Sequence, residues 1–168
     1  MSMKIIKKYL PKHYMIRSAE KIKKIQYIVI HSTNQIYHHW YEAYIDICRL
    51  MKQDEKYESM HYLIDTEGNC ISLIPEQEVS YSTTNIEENY HIISIACCLG
   101  NKEGKFNQIT IDSLIQLLIY LKKKYRLQNE NIVLHYHLTG TRCPKYYVDN
   151  LFAYYDILEK IKEIEKKQ

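Results

Sequence analysis

The stretch Ile25-Gln-Tyr-Ile-Val-Ile-His-Ser32, residues 25–32, decides the fold. Its β-branched and other apolar residues fall on both parities. A strand that is apolar on both faces belongs in the middle of a sheet that is covered on both sides. The run ends abruptly in His31-Ser-Thr-Asn34, a polar strand exit.

Working outward, residues 1–24 are a basic lead-in in which Pro11 breaks any long helix. On the other side, Tyr41, Tyr44, Ile45, Cys48 and Met51 recur at helical spacing, which predicts a helix over 38–52. Met60–Ile64 and Cys70–Ile74 read as two short strands around the turn Asp65-Thr-Glu-Gly-Asn69. Residues 75–90 are polar and read as loop. Ile92–Leu99 is a further strand, ended by Gly100, and Thr110 to Tyr125 is an amphipathic helix with Leu114, Leu117, Leu118 and Leu121 on its core side. Ile132–His137 reads as a strand, and Val148 to residue 168 as a last helix. Strands and helices alternate, so the expected class is α/β: a single domain over 1–168 with a central mixed β-sheet flanked by helices.

Composition narrows the function classes. The chain has 168 residues, 46% of them hydrophobic, with only 4 Gly and 3 Pro, which suits one domain with a real core and no disordered linker. A net charge of +3 falls short of the basic stripe that nucleic-acid binding requires, so no nucleic-acid partner is expected. The lysines gather in 4–8, 21–24 and 160–167, as solvated faces or as a weak attraction to an anionic cell wall. The 17 Tyr against 2 Phe suit sugar or peptide grooves, or reflect AT-rich coding drift. Five Cys (48, 70, 97, 98, 143) form no disulfide framework, which points to free thiols or a metal ligand. The first 25 residues carry charges throughout and lack an apolar core segment, so no signal peptide is expected. No run approaches a membrane span, so no membrane insertion is expected either.

Three polar points sit where strands end: His31, His135-Tyr-His137, and Cys143-Pro144. In an alternating α/β sheet, residues leaving neighbouring strand ends converge on one rim. Two imidazoles and a thiolate are good zinc ligands, and a three-ligand catalytic site leaves its fourth position for water. Taken singly, each residue has an ordinary structural reading, as a core or surface histidine or a buried small thiol.

Around these residues the chain resembles the type-2 N-acetylmuramoyl-L-alanine amidases, a superfamily that includes phage lysozyme-type amidases and peptidoglycan-recognition proteins. The matching pieces are Tyr27-Ile-Val-Ile-His-Ser-Thr33, Ser59-Met-His-Tyr-Leu-Ile-Asp65 with Glu67-Gly68-Asn69, Ile74-Pro-Glu76, Ser94-Ile95 through Leu99, and Leu134-His-Tyr-His-Leu-Thr-Gly140 with Arg142-Cys-Pro144. The lead-in from Met3 to Lys12 is similar to clostridial endolysins, so the likeness runs over roughly residues 3–148. The resemblance implies the amidase fold, one Zn2+ held by His31, His135 and Cys143, and hydrolysis of the amide between N-acetylmuramic acid and L-alanine in bacterial peptidoglycan. It also implies a monomeric, phage- or prophage-type lysin, made in the cytoplasm and acting on the wall after release.

Several positions depart from the pattern. The site of a catalytic Tyr in one branch is Met60, although other branches carry Ala there and remain active. The strand Glu falls on Cys98, the Lys before the ligand Cys on Thr141, the Asp of H-x-D on His137, and a Trp-His pair on Tyr81-Ser82. Substitutes are at hand. On a continued strand His137 would share a face with His135 and act as general acid or base, or compete as a ligand. Arg142 can stabilise an oxyanion, although as a neighbour on extended chain it points the other way. Cys98 is a spare thiolate ligand or, the favoured reading, strand packing. His61 orients the site from behind the ligands. Met60, Cys98, Thr141 and Trp40 are expected to line the substrate groove. Trp40 would be a sugar-stacking surface or an ordinary helix start over the core. Two function classes follow: an active zinc amidase, or a weakened or inactive module that binds muropeptide without cutting it. A purely structural zinc is a third reading.

Overall fold

The computed structural model describes residues 4–53 and 58–167. Met3, where the lead-in likeness begins, and Gln168, the end of the expected last helix, lie outside the described residues. In chain order the elements are β1 (Ile5–Lys7), β2 (Tyr27–Ile36), α1 (Trp40–Gln53), β3 (Tyr62–Ile64), β4 (Cys70–Ser72), α2 (Ile86–Asn89), β5 (Ile92–Leu99), α3 (Gln108–Tyr125), β6 (Ile132–Leu134), α4 (His135–Thr139), α5 (Lys145–Asp149) and α6 (Leu151–Glu165). The strands form one six-stranded sheet in the order β1-β4-β3-β5-β2-β6. It is mixed: β3 and β4 pair antiparallel as a hairpin, and every other neighbouring pair is parallel.

The two-faced apolar pattern of β2 has the expected consequence. Ile28 and Ile30 face a core made with Leu114, Leu117, Leu118 and Leu121 of α3 and Tyr154, Ile157 and Ile161 of α6. The opposite face of the sheet presents Leu63, Ile71, Ala96 and Cys98 to Ala43 and Ile47 of α1 and to Leu10, Met15 and Ile16 of the lead-in. Each fully buried aliphatic side chain contributes about 1.5–3 kcal/mol, so neither face can be left uncovered. Parity along β5 shows the division: Ile93, Ile95 and Cys97 go to the α3 side, Ala96 and Cys98 to the α1 side.

The structure differs from the sequence expectations in five places. The strand expected to end in His31-Ser-Thr-Asn34 continues to Ile36, because His31, Ser32 and Ile36 still pair with β5. The lead-in contributes a strand, β1, too short and too lysine-flanked to give a period. The 75–90 segment is loop except for α2, one turn capped by the Asn85 side chain. The expected strand 132–137 stops at Leu134, and His135–Thr139 coil into α4. The expected last helix is two, because Asn150, at φ −128° and ψ 69°, breaks α5 from α6.

The β3–β4 turn is built around Asp65. Its buried carboxylate accepts hydrogen bonds from the amides of Glu67 (3.0 Å) and Asn69 (2.9 Å), from Asn69 Nδ2 (3.0 Å) and from the Trp40 amide (3.2 Å). A negative charge at the first amide of α1 also suits the helix dipole. The Asp65 carbonyl accepts from Thr110 Oγ1 (2.9 Å), so one residue ties the hairpin to both α1 and α3.

Gly68 in that turn has φ +80°, and a Cβ there would lie 2.7 Å from Ile109 Cγ2 of α3. Gly140, which ends α4, has φ +74° but nothing within 4 Å of the same position. Gly140→Ala should therefore cost only the left-handed backbone strain, about 1–2 kcal/mol. Gly68→Ala should cost at least about 1 kcal/mol more, because strain and overlap add. Urea unfolding checks this, and equal losses would show that the hairpin–α3 contact is not tight.

Candidate metal centre

Sheet register brings the first two donors together. Ile30 of β2 pairs with Leu134, the last residue of β6, so His31 and His135 follow side by side just past the end of that pairing, while β2 itself runs on beside β5 to Ile36. Their ring centroids lie 4.6 Å apart at an interplanar angle of 52°. The third donor arrives by a reversal of chain. Gly140 ends α4 in the left-handed conformation, and the Tyr136 amide donates to the Cys143 carbonyl at 3.1 Å, folding the segment back on α4. Cys143 Sγ then stands 4.0 Å from His31 Nδ1.

The candidate donor atoms of His31, His135 and Cys143 all lie within 4.8 Å of one another. Tetrahedral donors on zinc stand roughly 3.5 Å apart, so little closure is needed. The ring nitrogens His31 Nε2 and His135 Nε2 are buried with no hydrogen-bond partner among the described residues. Buried polar atoms in native proteins are normally satisfied, so two orphans on facing rings ask for a ligand. Burial, helped by the neighbouring His135, pushes His31 down to about 3, and burial also lowers His135. Both rings are thus held neutral, the form that binds a cation. Burial raises the Cys143 thiol, opposed by hydrogen bonds to the Ser32 backbone and hydroxyl and aided by the charge of Glu58. His135 and Cys143 are only partly buried, so the group sits at the rim with a side open to solvent. Donor set and placement fit a zinc-type ion.

Among the described residues a second set of candidate donors is His39, Asp65 and Glu67. There the Asp65 carboxylate is already taken by the turn and by α1, so the grouping is structural.

The proposed supporting residues fare differently. His137 does not share a face with His135, because α4 replaces the strand and residues two apart on a helix diverge by about 200°. Its Nδ1 accepts from the Leu134 amide at 3.0 Å, and its ring packs on Tyr154 at 5.4 Å. Arg142 is exposed and forked onto Asp149, at 2.7 and 2.5 Å, so its guanidinium is committed away from the donors. Cys98 is 1% exposed in the core under α1, and burial pushes its thiol up to about 12, so it packs and neither ligates nor meets substrate. Thr141 is exposed. Its carbonyl receives the Cys143 amide at 2.7 Å, and it helps to shape the ligand turn. Met60 and Trp40 are partly buried against the α1-side core, with an edge of each left open.

His61 is a correction of another kind. It is 0% exposed and belongs to β3's approach, two strands from β2 and hence about 9.5 Å across the sheet from His31. Its Nδ1 accepts from the Ser94 amide (3.1 Å) and contacts the Ser80 (3.0 Å) and Ser94 (3.2 Å) hydroxyls, while Nε2 donates to the Glu78 carbonyl (2.8 Å). An amide can only donate and a carbonyl can only accept, which sets a neutral ring with its proton on Nε2. It is a satisfied core histidine that joins β3, β5 and the loop after β4. Ser32, which steadies the Cys143 thiol, carried no role in the sequence reading. Its signal was its place in the matched piece Tyr27-Ile-Val-Ile-His-Ser-Thr33.

The sequence profile of the family described as N-acetylmuramoyl-L-alanine amidase matches residues 13–146. The chain is 26% identical over 165 residues to N-acetylmuramoyl-L-alanine amidase CwlL of Bacillus licheniformis, covering 88% of this chain and 43% of that protein. It is 26% identical over 133 residues to N-acetylmuramoyl-L-alanine amidase BlyA of Bacillus subtilis (strain 168), covering 68% of this chain and 36% of that protein. It thus spans less than half the length of these relatives. In fold it is similar to PlyL, with TM-score 0.78, 21% identity and coverage of 95% and 97% of the two chains. It is also similar to N-acetylmuramoyl-L-alanine amidase LysC from Clostridium intestinale URNW, with TM-score 0.64, 23% identity and coverage of 84% and 88%.

The His61 geometry carries a pH prediction. Burial first, against the weaker pull of the Glu78 carbonyl, lowers His61 from 6.5 to about 4. A depressed folded value means its stabilisation is fully present above about pH 6.5 and is lost as pH falls through about 4, some 3 kcal/mol in all. His61→Gln should be less stable than the parent at pH 7 and lose less on acidification from pH 7 to 4 in urea unfolding. Parallel pH curves would contradict the assignment.

Proposed function

The chain belongs to the N-acetylmuramoyl-L-alanine amidase family, and from that premise we propose that it is a zinc-dependent hydrolase. Its substrate in this reading is peptidoglycan, cut at the amide between N-acetylmuramic acid and L-alanine. The observation that carries the reading is the group His31, His135 and Cys143: three donors within 4.8 Å, two orphaned ring nitrogens, and a side open to solvent. A purely structural zinc would call for a closed, four-ligand site. When bound, the ion supplies a Lewis acid for the scissile carbonyl and activates water for attack.

The chain's own residues do the rest. His31 and His135, held neutral by burial, present nitrogen lone pairs, and Ser32 steadies the sulfur of Cys143. The part-open edges of Trp40 and Met60 flank the start of α1 and of the hairpin, where sugar and peptide can lie against them. The chain works as a monomer on the wall after release from the cell that makes it. Among the described residues no helix is long and apolar enough to cross a membrane.

A second reading, a muropeptide-binding module, is favoured by one set of observations: Cys98 is buried and Arg142 is locked to Asp149. With saturating zinc and purified peptidoglycan, the hydrolase reading predicts new free L-alanine amino termini. They should be absent in chelator and cut at least about a hundredfold by His135→Ala. Binding to insoluble wall without any new amino termini would instead establish the module. The same chelator should leave the chain folded, and its unfolding would indicate a structural metal.

A further inference from the structure

We propose that Glu58 is the carboxylate that carries the proton in this reaction, an assignment that rests on the amidase reading above. Hydrolysis of an amide needs a group that removes a proton from the attacking water and delivers one to the leaving nitrogen. The positions expected to supply it do not: Cys98 is a core thiol, His137 serves the start of α4, and Arg142 is bound to Asp149. Glu58 comes from a segment the motifs do not reach, directly ahead of the hairpin.

Its position is fixed from both sides. The next residue, Ser59, is buried and pinned to Tyr81: the Ser59 amide donates to the Tyr81 carbonyl at 2.8 Å, and the Tyr81 amide donates to Ser59 Oγ at 2.9 Å. The carboxylate itself accepts from Asn34 Nδ2 at 3.1 Å. Asn34 lies on β2 three residues past the donor His31, so this bond ties Glu58 to the part of the strand that follows the donor. The ligand turn borders the same strand at His31, whose Nδ1 lies 4.0 Å from Cys143 Sγ, so Glu58 and Cys143 both adjoin the β2 segment from His31 to Asn34.

Among the described residues no cation is paired with Glu58, and its contact with Asn34 is to a neutral amide. By contrast the buried carboxylates of Glu76 and Glu78 are held by Lys124 and Arg17. Among the described residues Glu58 is therefore a partly buried carboxylate with no cation partner, attached to the strand that carries His31. The step balances. The water oxygen bonds to the carbonyl carbon as its proton passes to a Glu58 carboxylate oxygen. The C–N bond then breaks, its electron pair leaves on nitrogen, and Glu58 returns the proton to that nitrogen.

Glu58→Gln and Glu58→Asp, tested in the whole chain, decide the matter. At saturating zinc, Glu58→Gln should lower kcat on purified peptidoglycan by at least about a hundredfold, and Glu58→Asp should recover part of it. Zinc affinity, read by competition with a chromophoric chelator, gives a readout that does not need turnover. Removing a negative charge that faces the ion should weaken it about three- to tenfold in Glu58→Gln, and less so at high salt. The melting temperature of the metal-free protein should stay within a few degrees of the parent, which separates these effects from misfolding. A Glu58→Gln variant that cleaves like the parent, or that binds zinc like the parent, overturns the assignment and leaves the amidase reading standing. A parent chain that cleaves nothing at saturating zinc overturns both.

Discussion

The burial of β2 on both faces, with β5 hydrogen-bonded along one edge and β6 along the other, is the constraint on which the other features depend. A strand in that position has no solvent along its length and can meet water only at its ends. The short parallel neighbour β6 ends at Leu134 against the middle of β2, so the next residue of each strand is delivered to one place. The pairing of Ile30 with Leu134 then sets His31 against His135 without any further device. A one-residue slip would turn every side chain to the other face and separate the two rings.

What lies around that rim is held by polar residues that each serve two elements. Asp65 binds its own turn and the first amide of α1, and its carbonyl reaches α3 through Thr110. Glu76 accepts from the hydroxyls of Tyr62 and Tyr125 and pairs with Lys124, joining the hairpin to the end of α3. His61 joins β3 to β5 through Ser94. These groups are fully or nearly satisfied inside the protein. The orphaned nitrogens of His31 and His135 stand apart from them for that reason, and they locate the chemistry more sharply than residue type alone.

Much of this was legible in the sequence, and the physical reason is periodicity. β5 spans Ile92–Leu99 as read, α3 starts within two residues of its expected position, and the two-sided pattern of β2 foretold the layers. The three donors were legible by residue type, but only His135 directly follows a strand end: His31 lies within β2, which runs on to Ile36, and Cys143 lies in the turn between α4 and α5. The supporting residues were not. Whether His137 faces the site depends on whether the chain stays extended after Leu134, and the short run to Gly140 has no period that distinguishes a strand from one and a half turns of helix. The fate of Arg142 depends on Asp149, a partner seven residues away that becomes a neighbour only through α5. Glu58 gave no signal at all, because only its bond to Asn34, distant in sequence, brings it to the strand that carries His31.

The central claim is that His31, His135 and Cys143 hold one zinc ion at the open rim of this sheet. X-ray absorption at the zinc edge of the loaded protein tests it most directly. One ion per chain is expected, with a single sulfur at about 2.3 Å and nitrogen or oxygen neighbours at about 2.0–2.1 Å, and with the sulfur contribution missing in Cys143→Ser. A zinc shell without sulfur in the parent protein, or a sulfur contribution that survives in Cys143→Ser, would contradict it.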